Sequence, residues 1–167
     1  MATVVYTLGD DISTDVIYPG RFMATVLPTE TPQFAFADSP EFNTKLKNNQ
    51  VPPGSVIVAA KNFGCGSSRE QAVSTLKGHE LTIVAESYAR IFLQNAINLG
   101  LNLIVAPGIR ASAGDDLEIG KEVVINKTTG MRYPTVQLPQ ARQAIIDAGG
   151  LIPFTRKRVL EAHMSRP

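Results

Sequence analysis

The densest run of reactive residue types in this 167-residue chain is Asn62-Phe63-Gly64-Cys65-Gly66-Ser67-Ser68-Arg69-Glu70. Gly64 and Gly66 permit positive φ and close backbone approach, and Ser67 followed three places later by Glu70 has the spacing of a capping box at a helix start. Unpaired backbone N–H groups at such a start attract an anion. Arg69 in the first turn adds a guanidinium able to grip a carboxylate or phosphate with two hydrogen bonds. The commoner use of the same pattern is plainer: Ser67 caps a helix and Arg69 is a solvated charge. Two nucleotide-binding patterns fail on these glycines. A phosphate loop ends in Gly-Lys-Ser/Thr, which is missing, and the dinucleotide fingerprint needs a third glycine where Arg69 stands.

Other candidates carry less. Asp10, Asp11 and Asp15 suggest calcium, but the calcium-loop template begun at Asp11 needs glycine and glutamate where the chain has Val16 and Phe22. Asp15 and Arg21 lie in a proline-rich loop that could reach a ligand, although an aspartate beside Thr14 more commonly stabilises a turn. Glu86 ends a predicted strand and is expected to be solvated rather than ribose-bound. His79 and His163 share no ligand spacing with each other or with Cys65, and His79 beside Gly78 reads as a helix-end residue. Cys65 is the only cysteine, which excludes a disulfide framework and a cysteine-built iron–sulfur site within this chain and leaves thiol catalysis a minor option. Arg156, Lys157 and Arg158 are too few for nucleic-acid affinity and read as a solvated face.

The elements that must hold these residues alternate. Residues 3–8 predict a strand entering the polar Gly9-Asp10-Asp11 loop, and 11–40, with Pro19, Pro28, Pro32 and Pro40, predict loop with short helical pieces. A polar helix over 41–49 precedes the Pro52-Pro53-Gly54 turn and an apolar strand over 55–60. The glycine loop then opens a helix that runs to Lys77 and stops at Gly78. A buried strand over 81–85, a helix over 88–99 with Phe92, Ala96 and Leu99 on one stripe, and a strand over 101–106 follow. Two strand–helix–strand units in succession imply parallel pairing with right-handed crossovers, an α/β fold with a mainly parallel core sheet. Beyond Pro107-Gly108, residues 122–126 and 132–136 flank Lys127-Thr128-Thr129-Gly130 as a hairpin, which adds antiparallel strands. A helix over 140–148 ends at Gly149-Gly150, and 151–154 reads as a last strand before a basic tail. No repeat or linker divides 1–167, so one domain is expected.

Composition narrows the classes. Lys+Arg 16 against Asp+Glu 15 leave a net charge of +1, so no whole-chain field favours nucleic acid or an anionic membrane. Hydrophobic residues at 44% with charged residues at 19% exclude disorder as the general state. The opening Met1-Ala2-Thr3-Val4-Val5-Tyr6 lacks the pattern of a signal peptide, no apolar run reaches about 18 residues, and a single cysteine suits a reducing compartment. The expectation is a cytoplasmic protein.

The glycine–serine–arginine segment, followed by Glu86-Ser87-Tyr88-Ala89-Arg90-Ile91-Phe92 and Asn98-Leu99-Gly100-Leu101, closely resembles the small-subunit family of 3-isopropylmalate dehydratases in the aconitase superfamily. Gly9-Asp10-Asp11-Ile12-Ser13-Thr14-Asp15-Val16-Ile17 resembles that family's N-terminal segment, and the likeness spans about residues 3–160. It implies a swivelling domain of the β/β/α type that covers an active site whose [4Fe–4S] cluster is held by a separate large subunit, with no cofactor on this chain. Family enzymes move a hydroxyl between adjacent carbons of a malate-type acid by removing and re-adding water, the cluster iron acting as Lewis acid. By position in the motif, Ser67 matches the catalytic serine, Ser68 a neighbouring hydrogen-bond donor, Arg69 the substrate-carboxylate ligand and Asp15 an active-site aspartate.

A serine base is demanding. Bringing an alcohol, about as weak an acid as water, to deprotonation near neutral pH needs about 10 kcal/mol, whereas a helix end supplies at most about 2 kcal/mol. The balance must come from desolvated hydrogen bonds, Arg69 and a closed site, so the isolated chain is expected to be inactive. The loop at about 18–40 is the expected specificity element. Relatives acting on an extra carboxylate resemble Tyr-Leu-Arg-Thr there, where this chain has Phe22-Met23-Ala24-Thr25. Ala24 in place of a guanidinium favours an apolar substituent, hence isopropylmalate or dimethylmalate over homoaconitate, with Arg21 near enough in sequence to compensate. Outside the enzyme class, the alternative is a stand-alone anion-binding module built on residues 64–69.

Overall fold

In the computed structural model, which describes residues 1–164, the apolar runs β1 (Ala2–Leu8), β2 (Val56–Ala59), β3 (Thr82–Ala85) and β4 (Leu103–Val105) lie side by side as parallel strands. Helices α3 (Glu70–Gly78) and α4 (Arg90–Leu99) are the crossovers, as the alternation predicts. Side chains alternate between two cores. Ile57, Ala59, Ile83 and Ala85 join Val73, Leu76, Phe92 and Ala96 of the helices in one buried cluster, while Val56, Val58 and Val84 join Leu117, Val124 and Tyr133 in another. Burial on both faces explains why these strands read as continuous apolar runs.

Three antiparallel strands, β5 (Asp116–Ile119), β6 (Val123–Asn126) and β7 (Arg132–Pro134), complete a sheet of order β4-β3-β2-β1-β5-β6-β7. β1 is shared between the two halves: Ala2 and Thr3 pair with β5, the rest with β2, and the register shifts between Val4 and Tyr6. Beyond β7 the Val136 N–H donates to the Val105 carbonyl at 2.8 Å, tying the far end of the sheet back to β4. The sheet therefore curls around the second core, and the edge of β4 is partly covered.

Residues 11–40 are loop punctuated by α1 (Thr14–Ile17) and two 3-10 turns at 20–22 and 31–34, followed by α2 (Pro40–Lys47). The base of this loop is pinned. Thr75 Oγ1 donates to the Thr31 carbonyl at 2.8 Å, His79 Nε2 lies 2.8 Å from the Pro32 carbonyl oxygen, and Asn43 Nδ2 donates to the Ala35 carbonyl at 2.7 Å. Its tip is exposed at Met23, Val26 and Leu27.

Two expectations about elements fail. Residues 151–154 are not a strand but the first turn of α6 (Leu151–Met164), reached after α5 (Gln140–Asp147). Pro153 is compatible with that turn because the N–H it lacks has no helical acceptor there. β5 was not foreseen: it is four residues long and starts at a charged Asp116, and it pairs with β6 on one side and, on the other, with β1, more than a hundred residues away in sequence. Arg156, Lys157 and Arg158 do lie on an exposed face of α6.

Candidate active site

The loops leaving the carboxyl ends of parallel strands are where an open α/β sheet presents ligands, and the serine–arginine segment lies there. The pairing of β1 with β2 continues past both strands. The Ile12 carbonyl accepts the N–H groups of Gly64 at 2.7 Å and Cys65 at 3.1 Å, and the Thr14 N–H donates to the Cys65 carbonyl at 2.8 Å. This short ladder lays residues 12–15 alongside 64–67. Gly64 (φ +83°) and Gly66 (φ +92°) both adopt the left-handed region, and a Cβ on Gly64 would run into Phe92 of α4.

Ser67 does not cap α3. The helix begins at Glu70 with Arg69 in the cap position (φ −61°, ψ 111°) and no side-chain cap bond, two residues later than a box led by Ser67 requires. The Ser67 hydroxyl instead lies 3.1 Å from Thr14 Oγ1, and Thr14 Oγ1 also donates to the Ser67 carbonyl at 3.3 Å. The Ser68 carbonyl accepts from Asn95 Nδ2 at 3.2 Å. Both serines are exposed. The side-chain cap in this region is one helix away: Ser13 Oγ accepts the Val16 N–H at the start of α1.

Arg69 is not a solvated charge. Its side chain is only 13% exposed and pairs with Asp15, whose side chain is 63% exposed. Nη1 donates to Asp15 Oδ1 and, at 3.2 Å, to the Tyr18 carbonyl. The Gly20 N–H donates to the same Asp15 oxygen at 3.0 Å, and a Cβ on Gly20 would stand 3.1 Å from Arg69 Nη2, so glycine lets the loop close over the pair. The hydrogen bond from Arg69 holds the Asp15 carboxyl below the usual carboxylate range; burial opposes it, and the Gly20 N–H and the Arg69 charge reinforce it. Arg69 Nε is buried with no hydrogen-bond partner among the described residues. A buried guanidinium N–H without a partner is uncommon and calls for an explanation.

The loop residues reach this pair through Tyr18, which is fully buried. Its carbonyl accepts from Arg69, while its hydroxyl donates to the carbonyls of Phe22 at 3.1 Å and Thr25 at 3.3 Å. Burial pushes the Tyr18 phenol up, so it stays a donor at neutral pH. Ala24 is exposed between these anchors. Arg21 is engaged elsewhere: Nη1 and Nη2 meet the two Asp38 oxygens at 3.1 and 2.5 Å, and the guanidinium lies 4.6 Å from the Phe22 ring centroid. Asp15 and Arg69 thus meet directly, Ser67 is tied to Thr14, the residue before Asp15, Thr25 is linked to Arg69 through Tyr18, and Arg21 is bound to Asp38. Sequence reasoning passed over Thr14, Tyr18 and Gly20, whose only local signal is their place around Asp15 in the Thr14–Gly20 stretch.

Glu86 also departs from expectation. Its side chain is 9% exposed, bonded to Arg110 at 2.5 Å and to the Gly108 N–H at 3.2 Å. It ties the ends of β3 and β4 together rather than facing solvent. A cleft of about 650 Å³ between β4, Lys121 and α5 contains none of Asp15, Ser67 or Arg69. Among the described residues no group of three or more His, Cys, Asp or Glu could hold a metal ion.

Against known proteins, the model of the aconitase C-terminal domain matches residues 12–106, more than half of the chain. The chain belongs to the aconitase C-terminal domain family. The match runs from the ladder after β1 to the end of β4 and so takes in the whole candidate site. The chain is 42% identical over 164 residues to the isopropylmalate/citramalate isomerase small subunit of Methanocaldococcus jannaschii, covering 95% of each. It is 42% identical over 160 residues to the 3-isopropylmalate dehydratase small subunit of Moorella thermoacetica, covering 92% of this chain and 93% of that one. A crystal structure of 3-isopropylmalate dehydratase from Methanocaldococcus jannaschii superposes with a TM-score of 0.88 at 36% identity over 98% of both chains. The mixed sheet with its α/β core is accordingly the aconitase small-subunit fold.

Proposed function

We propose that this chain is the small subunit of a 3-isopropylmalate dehydratase, which interconverts 2- and 3-isopropylmalate by dehydration and rehydration in leucine biosynthesis. The observation that carries the reading is the Asp15–Arg69 pair beside the Thr14–Ser67 contact at one end of the sheet, with a buried Arg69 Nε that has no hydrogen-bond partner among the described residues. A hydroxy-dicarboxylic acid offers the missing partner: a carboxylate meeting the guanidinium edge, held by charge-assisted bonds. Asp15 keeps Arg69 oriented before substrate arrives. Ser67 Oγ then stands where it can take a proton from the carbon beside that carboxylate, and Ser68 donates a hydrogen bond to the substrate.

The donor set of this chain does not fit a [4Fe–4S] cluster, which needs several thiolates where the chain has Cys65 alone. The cluster belongs, in this reading, to the large subunit, and the small subunit lends its hydroxyl and guanidinium across the interface. The exposure of Ser67 and Ser68 supports the need for that partner: a hydroxyl in water gains none of the roughly 10 kcal/mol that deprotonation at neutral pH demands. The loop at 18–40 lines the substituent's side of the site through Ala24 and Thr25, with Arg21 anchoring it to Asp38. Ala24 leaves an apolar surface where a third carboxylate would need a cation, which favours isopropylmalate over homoaconitate. The lone cysteine supports a cytoplasmic location, and no helix among the described residues is long and apolar enough to cross a membrane.

The test is reconstitution with the cluster-bearing large subunit and comparison of kcat/KM for isopropylmalate, citramalate, 2,3-dimethylmalate and homoaconitate. The expected result is activity in the complex only, least with homoaconitate, and a loss of kcat by orders of magnitude in Ser67→Ala with little change in KM. Turnover by the isolated chain, or a normal kcat in Ser67→Ala, overturns the assignment.

A further inference from the structure

One buried hydroxyl outside the assigned residues touches Ser67. Thr14 is 2% exposed, and its Oγ1 faces two oxygens of the same residue, Ser67 Oγ at 3.1 Å and the Ser67 carbonyl at 3.3 Å. Among the described residues, Thr14 is the side chain hydrogen-bonded to Ser67 Oγ. The Thr14 backbone is held from both sides: its N–H donates to Cys65, its carbonyl accepts the Tyr18 N–H at 2.8 Å, and the branched Cβ restricts χ1. The hydroxyl is therefore fixed in place before any ligand arrives.

A threonine hydroxyl has one hydrogen to give and lone pairs to accept with. While Ser67 is neutral, that hydrogen goes to the Ser67 carbonyl and Oγ1 accepts the Ser67 proton. When negative charge gathers on Ser67 Oγ, the anionic oxygen becomes the stronger acceptor, and a small rotation of the Thr14 hydroxyl redirects its hydrogen there. We propose that Thr14 is a positioning residue for Ser67: its single hydroxyl hydrogen rests on the Ser67 backbone and turns to Ser67 Oγ as that oxygen becomes anionic. This rests on the reading of Ser67 as the base. It adds a donor whose oxygen is already in place, so only the hydroxyl hydrogen has to turn at the moment of reaction. The guanidinium of Arg69 does not fill this place, since its bonds go to Asp15 and Tyr18.

Two measurements test it. In the complex with the large subunit, Thr14→Val keeps the shape and removes the hydroxyl. It should lower kcat about 100-fold, leave KM within about twofold, and move the rising limb of the kcat–pH profile up by about one unit, with most activity returning in Thr14→Ser. In the isolated chain, Ser67→Cys in a Cys65→Ser background places a thiol at the same point, and its alkylation by iodoacetamide as a function of pH reports its pKa. Adding Thr14→Val should raise that midpoint by about one unit, and adding Thr14→Ser should not. Should Thr14→Val fail to fold, Thr14→Ala carries the same expectations. A kcat within about threefold of wild type, equal damage from Val and Ser, or an unmoved alkylation midpoint overturns the proposal. Ser67→Ala run alongside separates the two failures: its normal activity ends the reading of Ser67 as base, whereas its collapse beside a healthy Thr14→Val ends only the role of Thr14.

Discussion

Gly64 and Gly66 form a matched pair for testing how the serine loop is held. Both adopt positive φ, at +83° and +92°, so alanine at either position carries the left-handed penalty of about 1–2 kcal/mol. Their surroundings differ. A Cβ on Gly66 meets only Ser13 Cβ and Thr14 Oγ1, each at 3.7 Å, an ordinary contact, whereas one on Gly64 overlaps the ring and the Cβ of Phe92. Because the Phe92 Cβ is part of the overlap, no rotamer change relieves it, and the loop or α4 must shift, an overpacking cost of about 1–3 kcal/mol more. At about 2–4 °C per kcal/mol for a chain of this size, Gly66→Ala should lower the midpoint of thermal unfolding by about 2–8 °C, and Gly64→Ala by a further amount of about 2–12 °C. Circular dichroism melts of the isolated chain at one pH and concentration make the comparison. In the complex, Gly64→Ala should also lower kcat, because the displaced segment carries Ser67. Equal midpoints for the two variants would refute the claim that close packing of the loop on α4 sets the position of the serine.

Arg69→Lys should raise KM more than tenfold with a smaller effect on kcat, since an ammonium cannot offer two parallel donors to one carboxylate; an unchanged KM in steady-state assays removes Arg69 from the substrate. Asp15→Asn tests the ion pair through pH. The Asp15 carboxyl is depressed in the folded chain, so its contribution is present above its unfolded pKa of about 3.9 and is lost as pH falls through the folded value. The gap in melting midpoint between wild type and Asp15→Asn should hold steady from about pH 6 to 8 and close below about pH 4; a gap that persists at about pH 2 contradicts the pairing. Lys77 Nζ donates to the carbonyls of Leu99, at the end of α4, and of Gly149, just past α5, the latter at 2.8 Å. Lys77→Met keeps the stem and loses both caps, so the midpoint should fall by about 2–8 °C for a loss of about 1–2 kcal/mol, and an unchanged melt dismisses the clamp.

Much of the scaffold was legible because its signals are local. The apolar runs of β2 and β3, the stripe of Phe92 and Ala96 on α4, and the stops at Gly78 and Gly100 depend on residues a few places apart, and the structure keeps them. The segment 151–154 misled because four apolar residues are too short to show a period, and only continuation through Met164 makes them helical. β5 was hidden because four residues with a charged start show no period of their own, and pairing with β6 on one side and distant β1 on the other makes them a strand.

The sequence by itself determined the reactive groups and the order in which they occur: a serine pair and an arginine behind two glycines, and a Ser-Thr-Asp run after the first strand. Tertiary structure alone decided what those groups are to one another. Thr14 and Ser67 stand 53 residues apart, and Asp15 and Arg69 stand 54 apart, and they meet only because parallel β1 and β2 extend their pairing into the loops. That contact took Ser67 away from the helix start its spacing suggested, and it turned Arg69 from a surface charge into a largely covered guanidinium whose buried Nε has no partner among the described residues. Local spacing reports backbone periods, whereas hydrogen-bond partners are chosen by whichever acceptors the fold brings within about 3 Å.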